Sequence, residues 1–295
     1  MPWDQFAKLM ADLFNDEPGK PGRPHWPIVT MLRILMLKKW FGLSDVQAED
    51  QIRDRLCFRR FLKLSLEDRT PDHSTIRLFN QRVRQSGHVS TFFDAVKAEM
   101  DRQGLIVKEG SVIDAVIIEA PRGTFQKDGS TTRDPVASFT TKRGRTHFGY
   151  RAHMKTNTGG VILDYIFDTA RVSEHSHADD LIGDEPIALY ADSGYMKKER
   201  SEALTARGAF AGIIFRRVRG QKELRPEQSA HNKLCAKIRA VVEHPFGWMK
   251  QMGHKIRYRG AHNNGADWGL MATACNLKKI PSLIRKHKPP RAIVA

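Results

Sequence analysis

The segment VIDAVII, residues 112–118, opens the part of the sequence that decides the fold. Ahead of it the apolar residues have helical spacing. From this point onward, segments rich in β-branched and aromatic residues are typical of strands, at 111–120, 148–156, 161–170, 186–192 and 210–216. Three strands in succession, followed by alternating helices and strands, predict a mixed β-sheet flanked by helices. The predicted fold class is α+β, with an all-helical module before the sheet.

The N-terminal hundred residues predict that helical module, with helices at 28–40, 44–55, 58–63, 74–85 and 89–103. Asp72 and Ser74 are candidates to cap the start of the fourth helix, and Gly87 is placed where that helix ends. Helices at this spacing suit a helix-turn-helix DNA reader or a dimerisation surface, and both uses remain open.

The charge balance favours a polyanionic partner. Forty-nine Lys and Arg residues against 33 Asp and Glu give a net charge of +16, and the isoelectric point is near 9.9. Nucleic acid is the expected partner, although solubility or contact with an anionic membrane surface would also use such charge. Cys57, Cys235 and Cys275 are too widely spaced to indicate a disulfide framework or a zinc site, as suits a reducing cytosol.

The sequence gives no indication of export or membrane anchoring. The early apolar run at 28–37 is interrupted by Arg33 and is far shorter than the roughly 20 residues of a membrane span. The first ten residues lack the apolar core of a signal peptide. We therefore expect a cytoplasmic protein.

Two acids occupy unusual positions in strand-like segments. Alternation places Asp114 on the same face as Val112 and Val116, so a carboxylate lies in a buried row and needs a partner or a metal. Asp192 follows the run at 187–191, at a strand end where ligands gather in α/β sheets. Taken singly, each acid could serve as an ion-pair partner or a turn residue.

A third acid, Glu243, lies in residues 231–252, which predict one amphipathic helix. At about 100° per residue, Arg239 and Glu243 are about 40° apart and Lys250 lies about 20° from each, so all three share a face. An i, i+4 salt bridge between Arg239 and Glu243 is the simpler interpretation. Pro245 predicts a kink just after Glu243.

Three other segments are candidates for binding. Residues 122–146 predict a long basic loop, with Lys142, Arg143 and Arg145 as expected DNA contacts. Residues 278–291 predict a mobile basic tail. The segment HSHADD, residues 175–180, is similar to the metal box of metallo-β-lactamase-like hydrolases, but a surface loop that leads into a helix explains it equally well.

At these residues the chain resembles bacterial insertion-sequence transposases of the DDE type, closest to the insertion sequence 5 family. The resemblance is carried by Val-Ile-Asp114-Ala, Phe-Gly-Tyr150, Ala-Asp192-Ser-Gly-Tyr and the spacing of Arg239, Glu243 and Lys250. The signature tyrosine three residues before the arginine is Ala236 here, and Tyr195 is a candidate substitute.

The resemblance implies a helical domain at 1–105 for DNA binding or dimerisation, an RNase H-like catalytic domain at 106–277 and a basic tail at 278–295. It also implies that Asp114, Asp192 and Glu243 are catalytic and hold two Mg²⁺ ions, with Mn²⁺ as a substitute. Carboxylate oxygens are the hard ligands that Mg²⁺ prefers, and a pair of such ions supports in-line displacement at phosphorus.

The implied function is transposition. Water would cut at the element ends to expose a 3′-hydroxyl, which would then attack a phosphodiester of target DNA. The implied partners are double-stranded DNA, at terminal inverted repeats and target sites, and a second copy in a homodimer, in the bacterial cytoplasm near the nucleoid and without a membrane. Expected DNA contacts are Arg239, Lys250, Lys142, Arg143, Arg145 and Tyr195. The alternatives are a catalytically inactive or domesticated DNA-binding regulator, and a nuclease without strand transfer.

Overall fold

The computed structural model describes residues 1–14, 24–142, 144–184, 187–217 and 220–287. They pack as two compact units. One unit comprises Met1–Gln103, Gln251–His254 and the chain from Ala266 onward, and the other comprises Gly104–Lys250 and Lys255–Gly265. Within the described ranges, no helix is both long and apolar enough to cross a membrane.

The described elements alternate as the sequence indicates, with helices first and a helix-flanked sheet after them. The helices are α1 (Trp3–Lys8), α2 (Ile28–Phe41), α3 (Asp45–Asp54), α4 (Leu56–Leu62), α5 (His73–Gln85), α6 (His88–Arg102), α7 (Ala178–Ile182), α8 (Lys198–Ala206), α9 (Pro226–Arg239), α10 (Glu243–Gln251) and α11 (Ala261–His287). The strands are β1 (Ser111–Glu119), β2 (Ser138–Lys142), β3 (Arg145–Asn157), β4 (Ile162–Thr169), β5 (Ala188–Ala191) and β6 (Phe210–Ile213). Short 3₁₀ turns lie at Ala11–Leu13, Ser193–Tyr195 and Ala240–Val242.

Helix ends in the first unit are fixed by side chains that pair with free backbone groups. The Thr75 N–H donates to the Asp72 carboxylate at 2.8 Å at the start of α5. Gly87 follows the end of α5 with φ of 79°, a left-handed conformation that favours glycine. The capping roles predicted for these two residues are confirmed. At α3, the Gln47 N–H donates to Ser44 Oγ while the Gln47 side chain accepts from the Ser44 N–H, which forms a capping box.

The core of the first unit includes α2 and the later part of α11. Buried side chains of α2 run from Met31 to Leu37, and those of α11 include Trp268 and Leu270. The Trp40 indole N–H donates to the Ala274 carbonyl at 2.8 Å, which joins the two helices. The prediction of a mobile tail from residue 278 is wrong as far as His287, because Ile280 and Leu283 are buried in this core. Residues 288–295 lie outside the described residues.

The second unit contains one mixed sheet in the order β2-β3-β1-β5-β6, with β4 also paired to β3. Strand β1 is antiparallel to β3, with Asp114 opposite Met154, and parallel to β5, with Ile113 opposite Ala191. Strand β6 adds to β5 in parallel. The mixed sheet predicted from the sequence is confirmed.

The long strand β3 has two partners along one edge. Its first residues pair with β2, where Lys142 is opposite Arg145, and its later residues pair with β4, where Tyr150 is opposite Thr169. The prediction of a continuous loop at 122–146 is therefore wrong at Ser138–Lys142, and also at Arg145 and Thr146, which begin β3. In β2, alternation is obscured by polar residues on an edge strand.

Helices cover both faces of the sheet, as in an RNase H-like fold. Ile113 packs with residues of α7 and α8, including Leu181 and Leu204. Since neighbouring residues of a strand point to opposite faces, Asp114 faces the other side. The 3₁₀ turn Ala240–Val242 packs against β1, and α9 packs against β5 and β6. The RNase H-like fold class is confirmed.

Candidate active site

Asp114 lies within β1, with a side chain that is 17% exposed. Its Oδ1 accepts a hydrogen bond from the Ala115 N–H at 2.7 Å. Burial raises the pKa of Asp114 to about 6; this hydrogen bond and the charge of Arg239 oppose the rise, while the charges of Glu243 and Glu174 add to it. The negative charge of Asp114 is therefore incompletely compensated within the fold.

Asp192 directly follows β5 and caps the 3₁₀ turn Ser193–Tyr195, where its Oδ1 accepts from the Ser193 N–H at 2.7 Å. Ile113 and Ala191 are partners in the parallel register, so the two acids each come one residue after this pair. The side chain of Asp192 is 49% exposed. One acid is thus buried and its neighbour is accessible.

Arg239, the last residue of α9, reaches both of these acids. Its Nη2 is 3.7 Å from Asp114 Oδ2 and its Nη1 is 3.7 Å from Asp192 Oδ1. These distances exceed those of a hydrogen bond, so the attraction is electrostatic. The buried Nε of Arg239 has no hydrogen-bond partner within the described residues. The guanidinium therefore keeps donor capacity for another acceptor, such as a phosphate oxygen.

The helix that carries Glu243 is interrupted, so the prediction of one continuous helix at 231–252 is wrong. Helix α9 ends at Arg239, a 3₁₀ turn follows, and α10 begins at Glu243. Pro245 explains the break, because it has no N–H to donate to the carbonyl of Val241 and its ring would clash with that carbonyl in a continuous helix. The predicted kink therefore comes before Glu243 and not after it.

Because of this break, the angles of an ideal helix that predict a shared face for Arg239, Glu243 and Lys250 no longer apply. Glu243 is exposed at the start of α10, and Lys250 is exposed in its last turn. Glu243 is nevertheless close enough to raise the pKa of Asp114. The chain thus brings Arg239 and the three acids to one region, while Lys250 has no described contact with them.

The basic segment before β3 is accessible. Lys142 and Arg145 are exposed at the ends of the β2–β3 hairpin. Lys142 Nζ is 3.5 Å from Glu174 Oε1. Arg143, the third predicted DNA contact here, lies outside the described residues.

Tyr195 has a different position from the one its predicted role requires. Its side chain is fully buried and packs with Ile113, Leu189 and Leu204. Its hydroxyl has no hydrogen-bond partner within the described residues. A buried ring cannot stack on DNA at the surface, so we do not propose Tyr195 as a DNA contact.

Glu174 is a fourth acid near the site, and no motif in the sequence marks it. It directly precedes the HSHADD segment and is not part of that motif. Its charge acts on both Asp114 and Tyr195. A carboxylate on an irregular segment can be placed at a site only by the tertiary fold, which explains why the sequence does not predict it.

The HSHADD segment itself makes structural contacts. His177 Nε2 lies 2.9 Å from Asp168 Oδ2, and Asp179 accepts two hydrogen bonds from Arg200, at 2.7 and 3.1 Å. These contacts favour the loop interpretation of this segment over the metal-box interpretation.

The donor chemistry of the site fits a divalent cation. Asp114, Asp192 and Glu243 offer hard carboxylate oxygens, and the first two share the charge of one guanidinium, that of Arg239. In the described ranges, no group of three or more His, Cys, Asp or Glu side chains is close enough to hold a metal ion. Arg239 supplies the positive charge between the first two acids instead.

The fold and the site together define an RNase H-like protein with paired acids at the junction of two parallel strands. Comparison with known families matches residues 106–277 to the transposase DDE domain, and residues 1–82 to a second family described as a transposase domain. No solved structure matches the chain. Since the first match covers more than half of the chain, the protein belongs to the family of transposases with a DDE domain, and this membership implies DNA binding.

Proposed function

We propose that the protein is a metal-dependent transposase that cuts DNA at the ends of its element and joins those ends to target DNA. The observation that carries the proposal is the placement of Asp114 and Asp192 one step beyond a parallel strand pair, with both acids on the same guanidinium. The spacing of Arg239, Glu243 and Lys250 further favours the insertion sequence 5 group.

Asp114, Asp192 and Glu243 would hold the metal. Bound Mg²⁺ supplies activation of the attacking oxygen and stabilisation of the leaving oxygen in an in-line displacement. Asp114 is fixed by its strand and by the Ala115 N–H, so it presents one oxygen at a defined position. Asp192 is fixed by the capping bond from Ser193, which leaves its second oxygen available.

The basic side chains would position the DNA. The Nη groups of Arg239 lie beyond hydrogen-bond distance from both acids and would donate to a phosphate oxygen beside them. Lys142, Arg145 and Lys250 are exposed and would contact phosphates farther along the duplex. We also propose that the helical part at 1–105 contributes DNA binding or dimerisation, and that two copies pair the two element ends.

The test is a cleavage reaction with full-length protein, Mg²⁺ and an end-labelled duplex that carries the terminal repeat of its element. Glu243→Gln is the inactivating variant, and Glu119→Gln is the matched control, since Glu119 is an exposed acid at the end of β1 that contacts His147. We expect metal-dependent cuts and joined products from the native protein and the control, and none from Glu243→Gln.

Three results would contradict the proposal in different ways. Binding of the duplex without cutting, by protein of verified fold, would indicate a DNA-binding regulator. Cutting without joining to a target duplex would indicate a nuclease. Retained cutting by Glu243→Gln would remove that acid from the site.

A further inference from the structure

Glu174 lies between β4 and α7 and reaches the turn that follows Asp192. A Cβ atom on residue 194 would lie 2.6 Å from Glu174 Oε2, closer than real Cβ contacts come. Gly194 therefore allows the Glu174 carboxylate to approach the backbone two residues after Asp192. The Glu174 side chain is only 18% exposed, so this position is largely enclosed.

The electrostatic environment places Glu174 among the acids of the site. Its negative charge is the largest contributor after burial to the raised pKa of Tyr195, and the charges of Asp114 and Asp192 act on the same hydroxyl. The fully buried Tyr195 hydroxyl, which has no hydrogen-bond partner within the described residues, lies near the same carboxylates. A buried donor without an acceptor at this point is unusual and indicates that a further polar partner belongs here.

Positive charge near these acids is scarce. Over the described ranges, the ion pair of Glu174 is with Lys142 at 3.5 Å, and the lysine side chain is 48% exposed. Such a long, solvated pair contributes little to stability. Arg239 is shared between Asp114 and Asp192. Four carboxylates, counting Glu243, thus face Arg239 and Lys142, with Arg151 as a further cation near Tyr195, and the net negative charge suits a divalent ion.

We propose that Glu174 is a fourth carboxylate of the cation site and contributes to divalent-metal binding beside Asp114 and Asp192. This inference rests on the proposed function, because it adds a residue to the same metal site. In the protein without metal, Lys142 neutralises part of the Glu174 charge. Once Glu174 serves a metal ion, Lys142 is free to contact a DNA phosphate.

The test is isothermal titration of the full-length protein with MgCl₂, and separately with MnCl₂, without DNA. Glu174→Gln removes the charge with almost no change in shape, and Glu119→Gln removes an exposed acid of the same unit as a matched control. We expect Glu174→Gln to weaken Mg²⁺ binding at least about 10-fold, and Glu119→Gln to bind as the native protein does. Glu174→Asp, which keeps the charge, should recover part of the affinity.

Lys142→Gln should change the Mg²⁺ affinity in the opposite direction from Glu174→Gln. If the ammonium competes with the metal for Glu174, its removal should tighten Mg²⁺ binding about twofold or more. Weaker binding by this variant would show that Lys142 and Glu174 act together in another role, and would overturn the inference.

The thermal midpoint of each variant is measured beside its metal affinity. A lowered midpoint for Glu174→Gln with unchanged metal affinity would show a purely structural role and overturn the inference. Asp192→Asn separates this failure from a failure of the proposed function. If Asp192→Asn loses affinity while Glu174→Gln does not, only the role of Glu174 is wrong; if neither changes, the proposed metal site fails as well.

Discussion

Asp114 and Asp267 are both acids in largely apolar surroundings, one in each compact unit, yet their pKa values move in opposite directions. Burial raises the pKa of Asp114 to about 6. Burial also acts to raise the pKa of Asp267, which is only 4% exposed, but Lys39, His254 and Arg84 outweigh it and the net pKa is lowered. Burial alone therefore does not distinguish the two acids.

The difference lies in the geometry of the compensating charge. Lys39 makes a direct hydrogen-bonded ion pair with Asp267. Arg239 stands 3.7 Å from Asp114 and divides its charge with Asp192. The charge of Asp267 is thus neutralised within its own unit, as is typical of a structural residue. The charge of Asp114 is only partly compensated, and a cationic ligand can neutralise the rest. This contrast separates a stabilising acid from a functional one.

The largest effect is expected from Asp114→Asn. DNA cleavage should fall about 10³-fold or more, because the variant loses a carboxylate that holds the metal ion in the proposed site. The free energy of unfolding at pH 7 should rise by roughly 2 kcal/mol, because a charge that burial disfavours is removed. Cleavage rates and urea denaturation of the same preparation measure both quantities. A loss of stability together with activity would mean that Asp114 is structural, as Asp267 is.

Asp267→Asn should lower the stability of the protein, whereas Asp114→Asn should raise it. The variant removes the carboxylate that pairs with the Lys39 ammonium, whose side chain is 13% exposed. The free energy of unfolding should fall by about 4 kcal/mol. The double variant Lys39→Met/Asp267→Asn is the control, and it should recover most of this loss because both buried charges are gone. Unchanged stability in Asp267→Asn would contradict the assigned role.

His153 shows a third way to accommodate a buried titratable group, in the same unit as Asp114. It is fully buried on β3, its two ring nitrogens have no hydrogen-bond partner within the described residues, and its ring lies 5.2 Å from that of His177. Burial lowers its pKa to about 4, with the charges of His177 and Arg151 as smaller causes. The fold thus stabilises the neutral ring.

This shift predicts acid sensitivity. The folded pKa of about 4 lies below the unfolded value of about 6.5, so the stabilisation is present above pH 6.5 and is lost as the pH falls toward 4. The free energy of unfolding should fall by about 3 kcal/mol between pH 7 and pH 4 from this histidine alone. In urea titrations between pH 7 and 4, the free energy of unfolding of His153→Phe should fall less steeply with pH than that of the native protein. His175→Gln, which alters an exposed histidine, is the control and should follow the native curve.

The sequence predicts those parts of the site that depend on local pattern. Asp114 interrupts a β-branched run and Asp192 follows one, so strand propensity alone places both acids at the sheet. The capping roles of Asp72 and Gly87 are local as well. The mixed sheet follows from the order of the elements.

Other features depend on forces that periodicity does not record. Residues 231–252 have helical spacing on both sides of residues 240–242. The break is explained by Pro245, which has no N–H to donate to the Val241 carbonyl. The long helix α11 contains Pro281 and many basic residues near its end, so its burial against α2 was not predictable from composition. Glu174 becomes part of the site only because the fold brings its segment against Gly194.

The smallest effect concerns the cation that Asp114 and Asp192 share. If Arg239 occupies the electrostatic position of a metal, then Arg239→Gln should tighten Mg²⁺ binding about fivefold, equivalent to about 1 kcal/mol, because a competing positive charge is removed. Titration calorimetry without DNA measures this change, with Arg145→Gln as an exposed-arginine control. Weaker binding in Arg239→Gln would mean that the guanidinium organises the acids as Lys39 organises Asp267, and the contrast between the two units would then be one of degree.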